Sequence, residues 1–334
     1  MCTVDLIRWD HNYGYAGTVL PVYITTFIFG FPANVVALYA FIRKVRQGAT
    51  PVDVLLIGLT ISDLLFLIFL PFWMKAIVDG MAWRMAHFLC PLSGVIFYGS
   101  ISNSILFLTA ISVERYLAVA YPVKYKLNRK PCHAVVGSAI IWIISMAENS
   151  IIFVMQYYDD HDHDHNTTKE ETCYNDFSEE QLKILLPFRL QKFIFLFCVP
   201  LLICSFCYIN FIRILSRLPK ICPKRRRRAI GLALGTIAIC IICFGPYSMS
   251  HLVGYATNEN PKWSKFAVLT STFNACLDPF IYYFSSSALR ATFKGMFGRL
   301  PAHVSAREHR DIAKQPSREL EEVTRTQSTN DNQR

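Results

Sequence analysis

Arg189, His251 and Tyr247 are residue types suited to holding an organic anion. A guanidinium grips a carboxylate through two parallel hydrogen bonds, and an imidazole and a phenol add further donors. Tyr247 and His251 stand four residues apart, one turn along a single helical face. Tyr98, distant in sequence, could close such a pocket from another side. The bland alternatives are an Arg189 that extends to lipid headgroups and a His251 that makes a structural hydrogen bond. A second constellation is Asp63, Ser104, Asn274 and Asp278, whose oxygens could surround water or one sodium ion, or form a hydrogen-bonded network without an ion. A third is Glu114-Arg115-Tyr116. Its adjacent acid and base can pair, and opening the pair frees a rigid, fully charged guanidinium; an ordinary interfacial ion pair is the alternative. His161, His163 and His165 alternate with aspartates and would share one side of an extended segment, as a zinc or pH sensor does; a solvated acidic loop is the simpler reading. No nucleophile–base–orienter set and no His-Glu-x-x-His string occurs, so enzymatic chemistry is not expected.

The elements that must position these groups are seven long apolar stretches, near residues 17–42, 54–78, 88–120, 133–156, 184–212, 229–256 and 265–285. Each holds the ~20 apolar residues a helix needs to cross a bilayer, and helices satisfy their own backbone where lipid offers no partners. The first, third and fifth connections are basic, with Arg43, Lys44 and Arg46, then Lys124, Lys126, Arg129 and Lys130, then Lys220, Lys224 and Arg225–Arg228. The fourth is acidic, from Asp159 to Glu180. Basic loops stay cytoplasmic, which predicts a plasma-membrane protein with an extracellular N-terminus. A hydrophobic content of 53% fits a multi-span bundle. The net charge of +10 gathers beside the membrane, which favours anionic lipid and an acidic cytoplasmic partner over nucleic acid.

The expected organisation is an extracellular tail over 1–16, a transmembrane domain over 17–285, an amphipathic membrane-surface helix over 286–298 and a disordered cytoplasmic tail over 299–334. The tail's Ser and Thr residues are candidate phosphate acceptors. Cys90 and Cys173 both face the oxidising side, where a disulfide can persist, and such a bridge would pin the long outer loop across the bundle mouth. Asn166-Thr167-Thr168 is a glycosylation sequon in that loop. Pro32, Pro71, Pro200, Pro246 and Pro279 lie within spans, each removing one backbone hydrogen bond.

Several strings then appear in order: Gly30-Phe31-Pro32-Ala33-Asn34, Leu59-Thr60-Ile61-Ser62-Asp63, Glu114-Arg115-Tyr116, Trp142, Pro200 with Tyr208, Phe244-Gly245-Pro246-Tyr247, and Asp278-Pro279-Phe280-Ile281-Tyr282. Over residues 15–298 the chain resembles the rhodopsin-like G-protein-coupled receptors. Leu186-Pro187-Phe188-Arg189-Leu190, Ser250-His251-Leu252-Val253-Gly254-Tyr255 and Tyr283-Phe284-Ser285-Ser286-Ser287 narrow the resemblance to the free fatty acid receptors, in their short-chain branch. It implies a seven-helix bundle that is a receptor for small carboxylates and acts on heterotrimeric G proteins, with arrestin and a receptor kinase meeting the tail. It also implies that Arg189 and His251 bind the ligand's carboxylate, and that Glu114, Arg115, Tyr116, Tyr208 and Tyr282 serve G-protein coupling.

Three positions depart from the family pattern. Phe244 stands where many members carry tryptophan. The usual second arginine, directly after a tryptophan at the start of span seven, is absent: Trp263 is followed by Ser264 and then Lys265. One residue of offset turns a side chain ~100°, so Lys265 either restores the charge or faces elsewhere. Glu148 occupies a position where the short-chain branch typically has histidine. A buried carboxylate there would compete with a ligand carboxylate for Arg189, unless protonated or paired with Lys75, Arg189 or His251, and the expectation is weaker binding of small carboxylates, a different acid, or even a zwitterion. A carboxylate transporter is a further alternative, disfavoured by the absence of repeated halves.

Overall fold

Thr50-Pro51-Val52-Asp53 starts the second span with a reciprocal cap. The Asp53 backbone N–H donates to Thr50 Oγ1 at 3.3 Å, and the Thr50 N–H donates to Asp53 Oδ2 at 3.1 Å. Lys44, at the end of the first span, reaches Asp53 Oδ1 at 2.6 Å, so the short basic turn is pinned to the helix it precedes. Ser178 and Gln181 make the same kind of cap at the outer start of span five. There the Gln181 amide also donates to the Met155 carbonyl at 3.1 Å, tying the helix that carries Arg189 to the end of span four.

The computed structural model describes residues 2–80, 82–128, 130–158, 173, 177–218, 222–285 and 290. Asn166, His161, His163, His165, the tail and all but Arg290 of the expected amphipathic helix lie outside them. Twelve α-helices follow in order: α1 (Cys2–Val45), α2 (Pro51–Val78), α3 (Leu89–Ala120), α4 (Pro122–Asn128), α5 (Pro131–Asn149), α6 (Ile151–Tyr158), α7 (Glu179–Lys192), α8 (Val199–Arg217), α9 (Pro223–Ile239), α10 (Gly245–Thr257), α11 (Ser264–Thr272) and α12 (Asn274–Ser285). Among the described residues, six helical runs are long and apolar enough to cross a membrane. The seventh crossing is α11 and α12, nine and twelve residues either side of Phe273, which together reach about 33 Å.

The interior follows from side-chain placement. α3 is the most enclosed span, with 72% of its apolar window buried against 28–56% in the other five. Phe29, Ile143, Leu202 and Ile242 point outward, as lipid-facing positions do. Gly58 of α2 lets the buried Phe107 ring of α3 lie against its backbone.

At Pro279 the partner of the freed carbonyl is visible. Pro279 cannot donate to the Ala275 carbonyl; Asn34 of α1 donates to it instead, at 2.8 Å. Short π-helical turns, Phe193–Cys198 and Cys240–Phe244, precede Pro200 and Pro246. The Thr270 hydroxyl of span seven reaches the Cys243 carbonyl at 2.8 Å beside the second of them.

Candidate ligand cavity and inner polar network

Side chains of spans one, two, three, five, six and seven line a cavity of about 70 Å³ at the end of the bundle that carries Cys173. Space of that size admits on the order of five water-sized groups. Arg189, His251, Tyr247, Tyr98 and Lys265 all line it. Arg189 is held from two sides. One Nη1–H donates to Asn260 Oδ1 at 2.9 Å, and the guanidinium carbon stands 5.3 Å from the Phe177 ring centroid, a cation–π distance. Tyr247 and His251 meet edge to face with centroids 4.5 Å apart, as their four-residue spacing predicts, and Tyr98 stacks on Tyr247 at 6.1 Å.

Lys265 turns toward the cavity, and so does Ser264, which resolves the two orientations open from sequence. Glu148 does not line the cavity. Its Oε1 accepts from Gln191 Nε2 at 2.8 Å, whereas Lys75, one of its expected partners, pairs with Asp79 at 2.7 Å. Asn260 and Phe177 were invisible to sequence reasoning. Asn260 reaches the cavity because α10 ends on Asn258 in the left-handed region, φ 54°, a conformation asparagine tolerates. The chain then folds back, with the Glu259 N–H donating to the Gly254 carbonyl at 3.2 Å. Gly254 permits that close return, since an added Cβ would lie 3.1 Å from the Glu259 carbonyl oxygen. Gln191 and Lys192 were also missed; the available signal was two polar residues interrupting an apolar span just below Arg189.

Cys173 is disulfide-bonded to Cys90 at the outer end of α3, with Cα atoms 5.6 Å apart. Cys173 and Phe177 both line the cavity, so the bridge fixes part of its wall.

Deeper in the bundle, a second chamber of about 10 Å³ is lined by Asp63, Ser100, Ser271 and Asn274 among others. Asn274 donates to Ser104 Oγ at 2.8 Å and Tyr282 donates to Asp63 Oδ2 at 3.0 Å. Both Asp278 carboxylate oxygens, Asn274 Oδ1 and Ser271 Oγ are buried without hydrogen-bond partners among the described residues. Of these, Asn274 and Ser271 line the chamber together with Asp63, and oxygens around a space for one water-sized sphere fit a hard cation or a bound water. Elsewhere, among the described residues, no group of three or more His, Cys, Asp or Glu side chains is arranged to hold a metal.

At the inner end, Arg115 Nη1 donates to the buried Tyr208 hydroxyl of span five at 3.3 Å. Glu114 Oε2 accepts from the Tyr125 hydroxyl of α4 at 3.0 Å. Burial pushes the Tyr125 phenol above its usual pKa, so it remains a protonated donor. Tyr116 packs edge to face on Phe206 with centroids 5.9 Å apart. Tyr282 is fully buried against Asp63 and Phe41.

The comparisons with known proteins agree with this architecture. Residues 33–282 match the family described as 7 transmembrane receptor (rhodopsin family). The chain is 45% identical to free fatty acid receptor 3 of Mus musculus, over 84% of its own length and 86% of that receptor. It is 44% identical to free fatty acid receptor 3 of Homo sapiens, over 84% and 80%. With free fatty acid receptor 2 of Mus musculus it shares 43%, over 84% and 86%. An all-helical bundle with this cavity and these matches is a multi-pass membrane receptor: the chain belongs to the rhodopsin family of seven-transmembrane receptors and, within it, to the free fatty acid receptors.

Proposed function

We infer that this receptor is activated by small carboxylates, short-chain fatty acids among them, and signals to heterotrimeric G proteins. The observation that carries the reading is a small cavity lined by two cationic side chains, Arg189 and Lys265, with no aspartate or glutamate among its described lining residues. An ammonium group would find no counter-charge in that wall, which favours a simple acid over a zwitterion. Five or so water-sized positions suit an acid of a few carbons and penalise a long chain. That the relatives are free fatty acid receptors supports the ligand class.

In this reading the acid enters from the outer face, with the N-terminus on the same side of the plasma membrane. Its carboxylate bridges Arg189 on span five and Lys265 on span seven, with His251 and Tyr247 donating from span six. Contacts that are better in one arrangement of span six than in another shift the population toward it. The inner end of span six then moves, and the basic cytoplasmic face, with Arg115 at its centre, receives a G protein. Arrestin and a receptor kinase would meet the tail. Asp63, Asn274, Ser104 and Asp278 would hold a sodium ion or a water in the deeper chamber.

The test is a chain-length series of acids, from acetate to a long-chain acid, in a G-protein dissociation assay on surface-expressed receptor. Potency should peak among acids of a few carbons and vanish for the long chain. Silence toward every acid, or uptake of radiolabelled propionate without G-protein activation, refutes the proposal.

A further inference from the structure

Behind Arg189, between spans four and five, lies a polar cluster that the ligand reading does not use. Glu148 and Asn149 end α5; Gln191 and Lys192 end α7. Gln191 Nε2 donates to Glu148 Oε1 at 2.8 Å, and Lys192 Nζ donates to Asn149 Oδ1 at 3.0 Å. The orientation of the Asn149 amide is fixed independently. Its nitrogen donates to Ser102 Oγ at 3.2 Å and to the Ser145 carbonyl at 2.8 Å, so its oxygen is the atom left to face the ammonium. Glu148 Oε2 is buried with no hydrogen-bond partner among the described residues. The Gln191–Glu148 and Lys192–Asn149 hydrogen bonds place Glu148 and Lys192 on facing ends of α5 and α7, each next in sequence to the amide that the other helix's side chain meets. Neither lines the cavity, whereas Arg189, three residues before Lys192 on the same helix, does.

A lone carboxylate at this depth is costly, and it would repel the anion that Arg189 is placed to receive. We propose that Lys192 is a positioning residue that neutralises Glu148 through the Gln191 and Asn149 amides, holding the acid away from Arg189 and leaving that guanidinium to the ligand. The consequence for ligand potency rests on the carboxylate reading of the cavity; the existence of the pair does not. Lys192 sits three residues after Arg189, one helical turn away. The two cations thus divide the work: Arg189 toward the cavity and Lys192 toward the acid of span four.

The experiment is a double-mutant cycle on the full-length receptor, with Lys192→Met, Glu148→Gln and the double variant, read both by thermal stability of purified protein and by potency of propionate. Lys192→Met alone strands the Glu148 charge. Potency should fall roughly tenfold, the order expected when one uncompensated charge is left in the same protein interior as a bound anion, and stability should fall with it. The added Glu148→Gln change should restore both toward wild type. If Lys192→Met does not reach the cell surface, rescue of expression by Glu148→Gln reads the same coupling, and failure of the double variant to appear overturns the pair. Additive effects in both readouts, or a Lys192→Met receptor with unchanged stability and potency, also overturn it. If wild type responds to no acid, the ligand reading has failed, and the stability cycle decides the pair by itself.

Discussion

Replacing Arg189 by lysine and by alanine separates a fork from a point charge. Of the five N–H groups on the guanidinium, one is committed to Asn260 at 2.9 Å. Four remain, enough for one bidentate grip on a carboxylate. Hydrogen bonds to charged groups contribute about 1.5–3 kcal/mol each. Arg189→Ala removes two of them, about 3 kcal/mol or more, so potency of a short acid should fall at least ~150-fold. Arg189→Lys keeps the charge but offers no planar fork, and a compact ammonium gives up the flat contact with Phe177. Losing one of the two ligand bonds costs about 1.5 kcal/mol, roughly tenfold. The assay is G-protein dissociation against acid concentration, at matched surface expression. Equal potency of Arg189→Lys and wild type would refute the bidentate argument. Retained potency in Arg189→Ala would remove Arg189 from the ligand site altogether.

Lys265→Arg should raise acid potency by up to about tenfold, through one added charge-assisted bond of about 1.5 kcal/mol, and Lys265→Ala should lower it by a similar factor in the same assay. Cys90→Ser releases Cys173 and with it the segment carrying Phe177; losing the Phe177 contact, about 1 kcal/mol or more, predicts a five- to tenfold loss of potency, roughly, at near-normal expression. Gly58→Ala places a Cβ 2.5 Å from the Phe107 ring. Overpacking of this kind costs about 1–3 kcal/mol, so the melting temperature of the purified receptor should drop, and Phe107→Leu in the same chain should recover part of it.

The bundle was legible because lipid imposes one rule: a span must be long, apolar and helical. Arg189, His251 and Tyr247 were legible for a related reason. Polar donors at span ends are few, and four-residue spacing puts two of them on one face. Asn260 was not legible, because it acts only after Asn258 adopts a left-handed turn that brings the chain back over Gly254. The orientation of Lys265 depended on how Trp263 and Ser264 open α11, a matter of helix phase that composition does not carry. Glu148 illustrates a different limit. Sequence marks it as costly, yet the partner is chosen by which helix faces it. Span four ends its regular helix at Asn149, turning Glu148 toward Gln191 rather than toward the cavity.

The two chambers share one wall residue, Phe97 of α3. Its ring is buried and packs against Tyr23, Phe66, Trp73 and Tyr98, with centroids between 5.1 and 6.3 Å. On one side Phe97 borders the space proposed for the acid; on the other it borders the chamber that Asp63 and Asn274 also line. From there the contacts continue to Tyr282 through Asp63 and to Ser104 through Asn274. A ligand that tightens the outer aromatic cluster must therefore act on a ring that also closes the polar chamber. Packed interiors do not deform continuously, so a shift at this ring is taken up by a change of packing state rather than by gradual yielding. If the larger cavity takes a small anion, as proposed, the Phe97 layer is where its binding would meet the packing around the Asp63–Tyr282 contact.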